Sequence, residues 1–144
     1  MSFLWKKEIL NSEKNKGRFK RKIKGFFEKT KTEVKNSILF DGVNCPHFNY
    51  VGDSVLGESA HTGAGVILSN VRSDKMNVKV EKIETNLRKM GAIVGSNAEI
   101  GCNSVVCTGT IIGNNTSIYP LTMVKGVIPS NSIVKSTNEI VLKK

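Results

Sequence analysis

Two histidines, His47 and His61, are the only side chains in this sequence whose unperturbed titration falls near neutrality. His47 follows Pro46 in a stretch that reads as a turn. That placement frees the imidazole from any core and suits it to moving a proton; a surface histidine with no role is the other reading. Three cysteines, Cys45, Cys102 and Cys107, form no CxxC pair, and the ligand clusters of a zinc site are absent, so no metal is expected. An odd cysteine count without a secretory signal points to a reducing, cytoplasmic setting. Phe3-Leu4-Trp5 runs at once into Lys6 and Lys7, too short for a signal-peptide core. No apolar run approaches the roughly 18 residues needed to cross a bilayer.

The elements that must position these groups announce themselves by a period of six. From Val94 the sequence reads VGSNAE, IGCNSV, VCTGTI, IGNNTS, IYPLTM, VKGVIP. Val94, Ile100, Val106, Ile112, Ile118 and Val124 head the blocks, and Gly95, Gly101 and Gly113 follow three of them. The fifth positions are Ala98, Ser104, Thr110, Thr116, Thr122 and Ile128, mostly small or β-branched. An α-helix cannot hold this beat, because two of its turns take about seven residues. A flat strand alternates every second residue and does not run this far. A β-solenoid can: each face takes about six residues, the aliphatic points inward, and the small residue sits near the corner. Three faces make a coil of about 18 residues.

An earlier stretch keeps the beat with Tyr50, Leu56, Thr62 and Leu68 at first positions and Ser54, Ala60 and Val66 at fifth. Before it the register loosens, with Val34 and Phe40 six apart and Ile38 at a fifth position, and the pattern breaks around Cys45-Pro46-His47. Val71–Gly91 is charged and lacks hexads. It reads as a loop ejected from the coil, with a helical turn in Lys82–Met90.

Composition agrees with a solenoid. The apolar fraction is 39% and the aromatic fraction 6%, lean for a sandwich or α/β core but sufficient for stacked small rungs. Thirteen glycines against three prolines suit a chain that turns often. The net charge of +10 is unevenly placed. Residues 1–35 carry 12 Lys/Arg against 4 Asp/Glu, or +8, leaving +2 for residues 36–144. The basicity therefore belongs to a leader, which argues against a nucleic-acid-binding fold.

The segment from Val34 to Asn70 carries Lys35, a His47-x-x-Tyr50-x-Gly52-Asp53 turn, Gly63-Ala64-Gly65, and a rung ending in Asn70. It resembles the acetyltransferase domain of the bacterial bifunctional N-acetylglucosamine-1-phosphate uridyltransferase / glucosamine-1-phosphate acetyltransferase family. The likeness runs from about Thr32 to the C-terminus. It implies a left-handed parallel β-helix of the hexapeptide-repeat acyltransferase kind. It also implies a homotrimer with active sites between neighbouring prisms, acetyl-CoA as donor and an amino-sugar phosphate, glucosamine 1-phosphate, as acceptor. By the same resemblance His47 is the general base, and Lys35 and Tyr50 grip the sugar phosphate. Ala64 offers its N–H to the thioester carbonyl, and Asn70 and Ser96 line the donor site. His61 stands where the family has an asparagine that contacts the acceptor. The bland readings are a solvated lysine, a rung-lining tyrosine, polar corner residues at Asn70 and Ser96, and simple tight packing at Gly63-Ala64-Gly65.

The expected organisation is a basic leader at 1–31 and a β-helix domain at 32–144, with the ejected loop at 71–91. The family's nucleotidyltransferase domain and first rungs have no counterpart in this sequence. In the leader, Phe19, Ile23, Phe26 and Phe27 fall on one helical face among Arg18, Lys20, Arg21, Lys22 and Lys24. A helix capping the open end of the solenoid is the favoured reading, with disorder and binding to a membrane or acidic partner as alternatives. The rival to an acetyltransferase is a non-catalytic trimerisation remnant of a sugar nucleotidyltransferase; a third reading is a hexapeptide acyltransferase with another acceptor.

Overall fold

A computed structural model describes residues 31–137 and 139–143, and the leader's amphipathic pattern lies outside them. The described chain winds as a parallel β-helix with three five-stranded faces. The first face stacks β1 (Glu33–Lys35), β3 (Tyr50–Gly52), β6 (Ile67–Leu68), β11 (Val105–Val106) and β14 (Met123–Val124). The second stacks β2 (Ile38–Leu39), β4 (Val55–Leu56), β9 (Ile93–Val94), β12 (Ile111–Ile112) and β15 (Val127–Ile128). The third stacks β5 (His61–Thr62), β10 (Glu99–Ile100), β13 (Ser117–Ile118) and β16 (Ser132–Ser136), with β17 (Glu139–Leu142) turning back antiparallel on β16. Each coil donates its amides to the carbonyls of the next, as in Glu99 N–H to Thr116 O at 2.8 Å.

The block-heading aliphatics from Leu56 onward point inward and are buried, forming one continuous core. Each such side chain contributes roughly 1.5–3 kcal/mol on burial. The fifth-position residues Ala60, Val66, Ala98, Ser104, Thr110, Thr116 and Thr122 are buried at the corners. Asn97, Asn103, Asn115 and Asn131 hold left-handed φ at these turns, a conformation that asparagine tolerates better than most residues.

The coil is not uniform. Val106 pairs with Val124, eighteen residues on, but Val34 pairs with Val51 and Val51 with Leu68, each seventeen on. The missing residue comes out of the corner between the first and second faces, where Asn36 and Asp53 take φ of 50° and 45°. The inward residues of the early coils are therefore Val34, Leu39, Cys45 and Val51, not Phe40 and Tyr50. Ile38 points outward and is 46% exposed. Cys45, where the pattern had read as broken, fills a rung position at 0% exposure. The last first-to-second corner is two residues shorter than the regular one, through Gly126 at φ 82°. That shortening makes Ile128 an inward rung residue paired with Ile112 rather than a fifth-position one.

Leu68 pairs with Val106, thirty-eight residues on, twenty more than a regular coil. The surplus leaves the same first-to-second corner and returns at Gly91, whose N–H donates to Asp53 O at 2.8 Å. Within it there is no helical turn over Lys82–Met90. A small antiparallel hairpin forms instead between β7 (Lys79–Val80) and β8 (Ile83–Glu84). Val78 is fully buried beside Gly109 and anchors the excursion to the coil above. A single buried valine with a two-residue ladder satisfies this segment better than an isolated turn of helix, whose nucleation is unfavourable.

Candidate functional site

His47 stands at the corner joining the third face to the first. It and Phe48 both adopt left-handed φ, at 61° each, a strained conformation for bulky side chains. A buried asparagine holds the turn. Asn49, 3% exposed, donates from Nδ2 to Pro46 O at 2.5 Å and to Thr62 Oγ1 at 2.9 Å, and accepts from Val66 N–H at 2.7 Å. His47 is exposed, and among the described residues its imidazole has no hydrogen-bonding partner, so the ring is presented to solvent on a fixed backbone.

Directly above this turn lies Gly63-Ala64-Gly65, with Gly65 N–H donating to His47 O at 3.0 Å. The glycines are required by closeness: a Cβ on Gly63 would sit 2.7 Å from Cys102 Sγ. Among the described residues the Ala64 N–H has no acceptor, and the same is true of Cys102 in the next coil. At the corner between the second and third faces two of the equivalent amides are capped. Ser96 N–H donates to Asn114 Oδ1 at 2.9 Å, and Asn114 N–H to Ser130 Oγ at 3.0 Å. The third-to-first corner thus keeps outward N–H groups open beside His47.

A second group forms at the first-to-second corner. The Tyr50 ring runs along its strand so closely that a Cβ on Gly52 would lie 2.7 Å from its hydroxyl and 2.8 Å from Asn70 Nδ2. Asn36 and Asn70 donate to the two carboxylate oxygens of Asp53 at 2.6 and 2.5 Å. The Asn36 hydrogen bond holds the Asp53 carboxyl below its ordinary range; burial opposes this, and Asn70, Lys89 and Lys35 add to it. Lys35 and Lys89, the latter from the ejected loop, bring positive charge to the same corner.

His61 lies on the third face, its Nδ1 2.6 Å from Glu99 Oε2. Ser96 occupies the remaining corner, with its N–H already engaged. The prism therefore brings His47 to Ala64, and Lys35 and Tyr50 to Asn70, but sets these groups and Ser96 on three different edges. Among the described residues, no three His, Cys, Asp or Glu side chains gather as a metal site would require, and no helix is long and apolar enough to cross a membrane. Burial raises the thiols of Cys45 and Cys107. Asn49 and Glu99 escaped the sequence reading, and Asp53 entered it only as a motif residue with no role. The first did leave a signal, an amide in the slot that Val66, Ser104 and Thr122 fill in later coils.

No family model matches the chain. It is 41% identical over 92 residues to a bifunctional sugar-1-phosphate nucleotidylyltransferase/acetyltransferase of Sulfurisphaera tokodaii, covering 61% of this chain and 23% of that protein. It is 34% identical over 117 residues to the bifunctional protein GlmU of Methanocaldococcus jannaschii, covering 78% and 28%. The chain spans about a quarter of the length of these curated relatives. Among solved structures, the serine acetyltransferase of Neisseria gonorrhoeae superposes with TM-score 0.60 at 19% identity, over 74% of this chain and 38% of that one. A maltose O-acetyltransferase from Clostridium difficile 630 gives 0.57 at 19% identity, over 78% and 66%. These likenesses show the fold, a left-handed parallel β-helix.

Proposed function

We propose, from this chain's kinship with the hexapeptide-repeat acetyltransferases, that it transfers acetyl from acetyl-CoA to the amine of an amino-sugar phosphate, glucosamine 1-phosphate by resemblance. The observation that carries this reading is the pairing of His47 with Gly63-Ala64-Gly65 on adjacent coils of one corner. Amide formation needs a proton removed as nitrogen attacks the thioester carbon, and an exposed imidazole on a clamped turn can take it. The carbonyl oxygen gains charge in the same step, and an uncapped backbone N–H such as Ala64's can stabilise it. Lys35 supplies a point charge for the sugar phosphate, and Tyr50 and Asn70 offer hydrogen bonds beside it. Ser96 would touch the donor through its hydroxyl, since its N–H is taken.

These groups lie on separate edges of one prism, so a working site needs more than one copy. The outward rows support this. Ile38, Val55, Ile93, Ile111 and Val127 stack on the second face and Ile67, Val105 and Met123 on the first, most of them 37–46% exposed. The third face instead presents Asn44, His61, Glu99 and Ser117 in the same row. Two apolar faces meet at the corner holding Lys35, Tyr50 and Asn70, and packing there against neighbouring prisms would bury the rows and close the cleft. The functional assembly on this reading is a homotrimer.

The test is acetyl transfer by the purified chain across a panel of amino-sugar phosphates, with light scattering alongside. The reading expects a mass near three times 15.8 kDa and turnover with at least one acceptor. A 15.8 kDa monomer at micromolar concentration refutes the shared site. A trimer that binds acetyl-CoA yet acetylates no acceptor makes the chain a scaffold instead.

A further inference from the structure

The third face is polar in its outward row from Asn44 to Ser117, and one contact in it does more than fill the surface. His61 on β5 and Glu99 on β10 are direct partners in the parallel ladder, and their side chains meet at 2.6 Å through Nδ1. A carboxylate can only accept, so at neutral charge the imidazole must carry its hydrogen on Nδ1. An isolated imidazole has no such constraint. Among the described residues nothing hydrogen-bonds Nε2, and no buried side-chain nitrogen lacks a partner. Nε2 is therefore at the surface, with its lone pair outward. His61 is flanked by Asn44 below, and the next residue along its strand, Thr62, accepts from Asn49 in the His47 turn, so the His61 backbone runs directly into that corner.

We propose that Glu99 is a positioning residue that locks His61 as its Nδ1–H tautomer, making Nε2 a dedicated hydrogen-bond acceptor that selects acetyl acceptors by a hydroxyl or amine donor near the reacting nitrogen. The proposal rests on the acetyltransferase reading for its substrate, though not for the tautomer. An asparagine at this position offers both a donor and an acceptor; a carboxylate-locked imidazole offers an acceptor alone. A site built to receive a donor discriminates strongly against analogues that lack it, because its own polar group is left unpaired. The pair is only partly buried, with side chains 37% and 59% exposed, so its worth lies in orientation rather than in stability.

Two measurements test this on the full chain. Long-range proton–nitrogen correlation spectra of ¹⁵N-labelled protein above the titration range assign each imidazole, with His61→Asn identifying the signals. Wild type should show His61 with hydrogen on Nδ1, and Glu99→Gln should shift it toward the Nε2–H form with an unchanged melt. A wild-type Nε2–H tautomer overturns the proposal whatever the chain catalyses. In kinetics, His61→Ala and Glu99→Ala should raise the acceptor KM about tenfold, roughly the worth of one hydrogen bond to a neutral partner. They should leave kcat and the acetyl-CoA KM within about twofold, and they should narrow the preference for hydroxylated over deoxy amino sugars. Unchanged acceptor KM in Glu99→Ala sinks the role. Absence of any transfer by wild type overturns the acetyltransferase reading and the selectivity built on it, while the tautomer result is judged alone.

Discussion

Replacing Asn49 by alanine should loosen the corner that carries His47. The side chain is 3% exposed and its amide makes three hydrogen bonds, to Pro46 O, Thr62 Oγ1 and Val66 N–H. Alanine removes all three and leaves the buried Val66 N–H and the half-buried Pro46 carbonyl without their partners. A buried polar group stripped of its partner costs about 1–3 kcal/mol, which the Val66 N–H sets, and the half-buried Pro46 carbonyl adds less. Thr62 adds less, since its hydroxyl also bonds Cys45. The consequence for chemistry is larger than the loss of stability suggests. His47 and Phe48 sit at left-handed φ only because Pro46 and Asn49 are pinned on either side of them. Released, they relax toward ordinary φ and the imidazole moves. A displacement of about 1 Å can cost about 100-fold in rate. Urea unfolding at fixed protein concentration reads the first number and acetyl transfer well below the melt reads the second. A midpoint equal to wild type refutes the clamp. The expected loss of stability with an unchanged kcat would break the link from the clamp to His47.

His47→Ala should reduce acetyl transfer by roughly two to four orders of magnitude while circular dichroism and melting stay as in wild type, because His47 fills no rung position. Gly91→Ala should prevent the chain from rejoining the coil after the ejected loop, since a Cβ there overlaps the Gly52 carbonyl and the Ser54 hydroxyl; insoluble or unfolded protein is expected, and a normal melt would contradict the packing. Asp53 has a folded pKa below its unfolded value of about 3.9, so its contribution is complete above that value and is lost as pH falls through the lower folded pKa. Acid titration of stability should therefore be shallower below about pH 4 in Asp53→Asn than in wild type, and coincident curves would remove Asp53 from the account.

The six-residue period was legible because it is local. Each block from Val94 to Val124 states its own inward aliphatic and its own small corner residue, and parallel stacking follows from repeating them. His47, Tyr50, Asn70 and the Gly63-Ala64-Gly65 corner were found by motif, and the prism does bring two of these groupings together. The ejection of the loop could also be read, since its charged, hexad-free composition cannot line a rung. The internal form of that loop could not be read, because a two-residue hairpin on one buried valine leaves no periodic trace.

What the sequence alone could not decide is everything set by the length of corners. Deleting one residue at Asn36 and at Asp53 moves the inward position from Tyr50 to Val51 and from Phe40 to Leu39, and turns Cys45 into core. A period of six cannot reveal that, because a left-handed turn absorbs the missing residue without altering the residues around it. The meeting of His61 with Glu99 is of the same kind. They are thirty-eight residues apart, and only the exact return of the loop at Gly91 places one above the other. Hexads specify which side of a strand faces in; which strand lies above which, and hence which polar side chains share an edge, is decided only when the coils close.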